Sequence, residues 1–312
     1  MVSAPIEFRI PISPRSSFYR RVHFFCAALQ RLPRVYAEAR VRIVVGDDAD
    51  LEQVRAENRW SSQYNVEWHG VPPGIFADHH YFGTADFRYL LPAPADGLVV
   101  LMDADSVVVR PFLQDLEWML CDDPCIAGHM AHTPPPAKIR GEAADARELW
   151  SFLFQHFGIP WPEILYRYSM DLENRWPAVP AYYNLGFVVL NQAALKIFSQ
   201  TIFDLQSRLR ELVESNMRCQ IALTLISYAH QMRRQNLPAT FNAANDLRHF
   251  DHNRVRTPEI KVIHYLRADE IDRDSFLKDE EKAAFLRATL RNPVNQLLQS
   301  LVCELSLKRI IA

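Results

Sequence analysis

The chain has 312 residues, 49% of them apolar, and 35 Lys+Arg against 37 Asp+Glu leave a formal charge of −2. That length admits one large domain or two small ones, each with a substantial core. The near-neutral charge without a basic stripe argues against nucleic-acid binding, 9 glycines disfavour an all-β design of many tight turns, and no apolar run nears the ~20 residues a membrane-spanning helix needs.

The opening MVSAPIEFRIPISP lacks a basic region followed by a long apolar stretch, so no secretory signal is read. Residues 6–12 read as a strand, followed by a Ser/Pro turn. Residues 17–31 carry helical apolar spacing at Phe18, Val22, Phe25 and Leu29. Residues 39–48 form an apolar strand ending in Gly-Asp-Asp, where Asp47 or Asp48 is expected to cap a helix. Residues 64–72 are a third strand, and 78–92 are predicted helical as far as Pro92. Residues 97–105, GLVVLMDAD, are a fourth strand, apolar throughout, as in sheets covered on both faces. Residues 125–131 are another.

The Pro-rich 132–145 reads as a connection and 143–157 as a helix. Residues 181–191 are an apolar strand, 192–215 and 218–232 helices, 261–267 a late strand, and 274–312 mostly helix. The cysteines Cys26, Cys121, Cys125, Cys219 and Cys303 are odd in number and widely spaced, which gives no disulfide framework and no zinc site. A reducing compartment, the cytoplasm, is the expected location. Strands alternating with helices imply an α/β sheet, whose ligands bind beyond the carboxyl ends of the strands.

Asp103 and Asp105 stand at such an end. Carboxylates at i and i+2 on a strand face one way and repel unless a cation lies between them. Hard oxygens suit Mg²⁺ or Mn²⁺ with phosphate as a further ligand. A turn merely capped by two aspartates is the plain alternative.

GLVVLMDADSVVV, with GTADFRYLLP before it and YYNLGFVVLN, LPATFNAAND and KVIHYLR after it, resembles the GT-A nucleotide-sugar glycosyltransferases of the glycogenin/bacterial galactosyltransferase (family 8) type. The segments come in family order over roughly residues 5–267. The resemblance implies a GT-A α/β fold: a mostly parallel central sheet flanked by helices over 1–273, with a helical C-terminal extension over 274–312. It implies a metal-dependent transfer from a nucleotide-diphosphosugar, a UDP-sugar first among donors, with retention. Asp103, Asp105 and His264 then hold Mn²⁺ (or Mg²⁺), and Ala104 lies in the nucleotide-binding turn. Arg88 clamps the donor, Asn184 beside Gly186 meets the sugar, Phe241-Asn242 match the Leu-Pro segment, and Ile12 and Ser13 receive the base. The chain departs from the pattern twice. The family's Asp-Gln pair is Cys219-Gln220, leaving Gln220 alone in that role, and its late Lys is absent, with Arg267 the nearest replacement cation.

Two other readings stay open. A haloacid-dehalogenase-type phosphohydrolase would use Asp103 as nucleophile and Asp105 as acid/base. A catalytically silent nucleotide-sugar-binding protein would keep only the binding groups. The aromatic stretch 161–183 reads as core or as an acceptor surface. The acceptor (glycan, protein or small molecule) and the oligomeric state are not read from the sequence. The C-terminal apolar stripe with Lys308 and Arg309 packs on the domain or on a partner, or touches a membrane surface.

Overall fold

The computed structural model describes residues 6–311 apart from Asp48, Ala95 and Asp269, and the side chains of 308–311 lie outside the description. The expectations for Asp48, Lys308 and Arg309 therefore fall outside it. Among the described residues the strands are β1 (Ile6–Ile12), β2 (Arg40–Val45), β3 (Val66–Gly70), β4 (Leu98–Met102), β5 (Ser106–Val108), β6 (Cys125–Met130), β7 (Lys138–Ile139), β8 (Glu142–Ala143), β9 (Tyr183–Asn191), β10 (Val213–Glu214), β11 (Arg233–Asn236), β12 (Ala243–Ala244) and β13 (Val262–His264).

The central sheet runs β11-β6-β9-β4-β1-β2-β3. β9 opposes both its neighbours, and every other pair in this sheet is parallel. β4 and β6 therefore point the same way, and their carboxyl ends share one edge of the sheet. Period-two alternation divides the strand residues between two cores. Val99 and Leu101 of β4 face one, with Val188 and Leu190 of β9. Leu98, Val100 and Met102 face the other, with Phe187 and Val189. Helices cover both faces, among them Ser16–Leu29 on one and Gln192–Leu212 with Arg218–Ala229 on the other.

The small sheet β12-β13-β5 stands beyond the end of β4. Its apolar side packs with Tyr265, Phe276, Phe285, Val294, Leu298 and Leu301 into a third core. The C-terminal helices Asp279–Arg287 and Pro293–Ile311 thus rest against the element that carries His264. Among the described residues no helix is long and apolar enough to cross a membrane.

Some local expectations are corrected. The helix predicted over 78–92 is two short ones, Pro73–His79 and Tyr81–Phe87, broken at His80, which takes φ 52°. The chain then turns, because the sheet captures its carbonyls: Arg9 Nη1 donates to Arg88 O (2.5 Å) and Leu91 O (3.0 Å), and Arg9 Nη2 to Pro92 O (2.9 Å). The cap of the helix Leu51–Glu57 is Asp50, whose carboxylate accepts from Glu52 N, while Asp47 stands at φ 57°. The strands β5 and β11 lie where none was predicted, and the late strand shortens from 261–267 to Val262–His264.

Candidate active site

β4 ends at Met102, and the chain turns through Asp103-Ala104-Asp105 into β5. Ser106 N closes the turn on Asp103 O at 3.1 Å. β5 then pairs antiparallel with β13 in the register His264↔Ser106, which sets the imidazole against the acidic turn. Tyr265 locks the junction: its N–H donates to Asp105 O (2.9 Å) and its hydroxyl to Ala104 O (3.2 Å). Ligand atoms of Asp103, Asp105 and His264 accordingly lie within 4.8 Å of one another. His264 Nε2 stands 3.2 Å from Asp105 Oδ1, and Arg273 Nη1 lies 3.1 Å from Asp105 Oδ2.

The electrostatics are those of an acidic pair short of positive charge. Burial, then the charge of Asp105, raises the Asp103 carboxyl, against His264 and Arg88. Burial also works to raise Asp105, but His264, with Arg21 and Arg273, outweighs it and holds that carboxyl at about 2. Burial pushes His264 down, and the two aspartates more than reverse it, so the imidazole is raised. The two carboxylates thus meet only His264 and Arg273 at close range, where a divalent cation would serve both.

The donor set fits such an ion. Two ligands held ~2.1 Å from one cation stand at most ~4.2 Å apart, so the three groups need only a small closing movement. Room for the ring is made by Gly186 on β9. A Cβ there would strike the His264 ring, with Cε1 at 2.6 Å, and Asn184 Oδ1 at 2.8 Å.

The remaining predicted residues are distributed around this point. Ile12 and Ser13 lie beside the turn, since Arg9 pairs with Leu101 and β1 runs two residues past the end of its parallel neighbour β4. Arg88 follows the helix Tyr81–Phe87 and is 0% exposed, yet none of its guanidinium nitrogens has a hydrogen-bond partner among the described residues. Asn184 Oδ1 accepts from Gly186 N (2.8 Å). Gln220 donates to Met217 Sδ (2.9 Å) and leaves its buried oxygen unpartnered. Asn242 is wholly buried with both amide atoms unpartnered. Arg267, read as the replacement cation, pairs with Asp246 at 3.3 Å, and Arg273 stands in contact with the acidic turn.

Two groups escaped the sequence reading. Arg273 belongs to no motif, and only the fold brings it to Asp105. Asp86 is wholly buried near Arg88; it accepts from Gln206 Nε2 (2.6 Å) and lies 3.5 Å from Cys219 Sγ, with Oδ1 unpartnered. Burial raises its carboxyl to about 7, against the pull of Arg88. The aromatic stretch 161–183 divides. Tyr168, Tyr182 and Tyr183 are core, whereas Trp161 is exposed and Trp176 lines a cavity.

Comparison with known proteins agrees with the architecture. Residues 48–231, more than half of the chain, match the family described as Rhodobacterales glycosyltransferase domain. No curated protein matches the sequence. Among solved structures, the WbbM bifunctional glycosyltransferase in its apo form is similar with a TM-score of 0.52 at 15% identity, over 86% of this chain and 46% of that one. The present chain thus spans about half the length of that relative. Mouse xyloside xylosyltransferase 1 gives 0.49 at 14% identity, over 84% of this chain and 97% of that one. An active-site mutant of LgtC gives 0.49 at 15%, over 84% and 87%. The α/β architecture, a mostly parallel sheet flanked by helices, is the GT-A fold.

Proposed function

The chain belongs to the Rhodobacterales glycosyltransferase domain family, and on that premise we propose that it moves a sugar from a nucleotide-diphosphosugar, a UDP-sugar first, to an acceptor hydroxyl with retention. Family membership removes the phosphohydrolase alternative. The observation that carries the proposal is the meeting of Asp103, Asp105 and His264 at the carboxyl end of β4.

Those three residues would hold the divalent cation, Mn²⁺ or Mg²⁺, which when bound supplies Lewis-acid charge to the donor's two phosphates. Arg88 offers a desolvated guanidinium whose fork suits phosphate oxygens, and its three nitrogens make no hydrogen bond among the described residues although Asp86 lies nearby. Arg273, already at Asp105, is the second cation within reach of the leaving group. As the anomeric carbon leaves the phosphate oxygen and bonds to the acceptor hydroxyl, negative charge grows on the diphosphate. Fixed positive groups there stabilise the transition state more than the ground state. The leaving phosphate accepts the hydroxyl proton, so no side-chain base is required. Ile12, Ser13 and Ala104 border the nucleotide, and Asn184 and Gln220 offer amides to the sugar hydroxyls.

The test is thermal stabilisation by Mn²⁺ with UDP, GDP, CMP or dTDP. One nucleotide should raise the melting temperature only when metal is present, and Asp103→Asn should abolish the effect in a protein that still unfolds cooperatively. Equal stabilisation without metal, or by the Asp103→Asn protein, would contradict the proposal.

A further inference from the structure

Cys121 and Cys125, which their spacing left unassigned, meet in the structure: the two Sγ atoms lie 3.4 Å apart with no bond between them. Both thiols also face one carbonyl, Asp123 O, at 3.7 and 3.3 Å. A single side chain fixes the backbone around them. Asn191, the last residue of β9, accepts through Oδ1 from Cys125 N (2.9 Å) and donates through Nδ2 to Cys121 O (3.0 Å) and Asp123 O (2.7 Å). Cys125 also opens β6, beside Arg233 of β11, whose N–H donates to Pro124 O (2.9 Å). The sulfurs therefore face each other because the backbone is held, not because a covalent bond holds them.

The two thiols differ in what can reach them. Cys121 is exposed and stands in the wall of a cavity of about 750 Å³, whereas Cys125 is buried. Burial, then the hydrogen bond and charge of Cys121, push the Cys125 thiol up to about 12, against the pull of Arg233. Cys125 is thus kept as a thiol while Cys121 is free. Once the Cys121 sulfur is bonded to another group, its contributions to that rise fall away. An accessible thiol that opens the reaction, in contact with a shielded one that closes it, is the arrangement thiol–disulfide exchange requires.

We propose that Cys121 and Cys125 are a redox-active pair that closes to an intramolecular disulfide, with a low-molecular-weight disulfide such as oxidised glutathione as oxidant. Cys121, deprotonated by solvent, attacks one sulfur of the oxidant; a Cys121–glutathione bond forms and one glutathione thiolate leaves. Cys125 then loses its proton and its sulfur attacks Cys121 Sγ, which forms the Cys121–Cys125 bond and releases the second glutathione. Two protein thiols give up two electrons, and one disulfide becomes two thiols. Closure brings the sulfurs from 3.4 Å to about 2.05 Å and ties a short loop, which restricts the unfolded chain. The pair stands at the edge of the sheet opposite the acidic turn, because Cys125 begins β6 whereas Asp103 follows the end of β4, which points the same way. The inference is therefore independent of the transferase reading.

The experiment equilibrates the full chain in glutathione buffers from fully reduced to fully oxidised, quenches with acid, alkylates the remaining thiols and maps the peptides by mass. In oxidised buffer the peptide holding Cys121 and Cys125 should lose two hydrogens and carry no glutathione, and dithiothreitol should restore both thiols. Cys303, exposed and with no second sulfur in contact among the described residues, should stop at the glutathione adduct and serves as the internal control. Cys121→Ser, at an exposed position, should leave Cys125 unmodified, and Cys125→Ser should stop at the Cys121 adduct. The oxidised parent should melt about 2–4 °C above its reduced form, a shift absent from Cys121→Ser. A lasting glutathione adduct on Cys121 of the parent, a Cys121 bond between two chains, both thiols untouched in oxidised glutathione, or a closed pair that melts no higher than the reduced one overturns the inference.

Discussion

Two arginines buried to the same degree have opposite surroundings. Arg9, in the middle of β1, uses every guanidinium nitrogen: Nε on Glu7 (2.7 Å), Nη1 on two carbonyls and Nη2 on a third. Arg88, whose carbonyl is one of those acceptors, makes no hydrogen bond through its own nitrogens among the described residues. Every nitrogen of Arg9 is used, whereas buried polar atoms stay without a hydrogen-bond partner among the described residues at Arg88, Asp86, Gln220, Asn242 and His264. An unmade bond in a buried site costs more than a made one gains. The surroundings of Arg9 therefore serve stability, and on the proposed function it is the donor that completes those of Arg88.

The largest expected effect lies at Arg9. Arg9→Met leaves Glu7 and three carbonyls without their donor, and should lower unfolding free energy by about 3–5 kcal/mol, seen as an earlier urea midpoint. Arg88→Met should do the reverse of what burial alone suggests. Stability stays level or rises, while kcat/KM falls about 10²–10³-fold, the scale of losing one group that stabilises developing charge. If both variants lose stability alike, the contrast between the two arginines fails.

A smaller effect is expected beside His264. Gly186→Ala drives a methyl into the His264 ring, and Mn²⁺ affinity should drop about 10–100-fold, the range for disturbing the support of a ligand, with little change in melting temperature. Equal Mn²⁺ affinity in the two proteins would detach Gly186 from the metal site.

The smallest effect is a pH slope. Asp86 has a folded pKa raised from 3.8 to about 7. Between those values the folded chain binds the proton that the unfolded chain has lost, so this group makes stability fall as pH rises from about 4 to 7 and levels off above, by at most ~1.4 kcal/mol per pH unit. In Asp86→Asn that decline should vanish, so that the variant gains on the parent between pH 5 and 7. Urea midpoints across that range give the answer; a constant difference would contradict it.

The strand and the acidic pair were legible because an apolar run ending in two carboxylates is a local pattern, and the resemblance supplied the distant imidazole, but the aspartates read as strand residues lie in the turn after Met102. The pairing of β5 with β13 was not legible, since β5 is Ser106–Val108 alone, too short for periodicity to register. The break at His80 went unseen for a related reason: apolar spacing reports which face is buried, not a single residue of positive φ. Nothing in the sequence singled out Arg9, although its bonds shape the turn that carries Arg88.

The central claim is that Asp103, Asp105 and His264 grip one divalent ion. Electron paramagnetic resonance of free Mn²⁺, titrated with protein in the presence of UDP, measures this directly. The intact protein should remove one equivalent of the signal, and His264→Gln should weaken that uptake at least tenfold although both aspartates remain. Uptake by His264→Gln equal to that of the parent would contradict the claim.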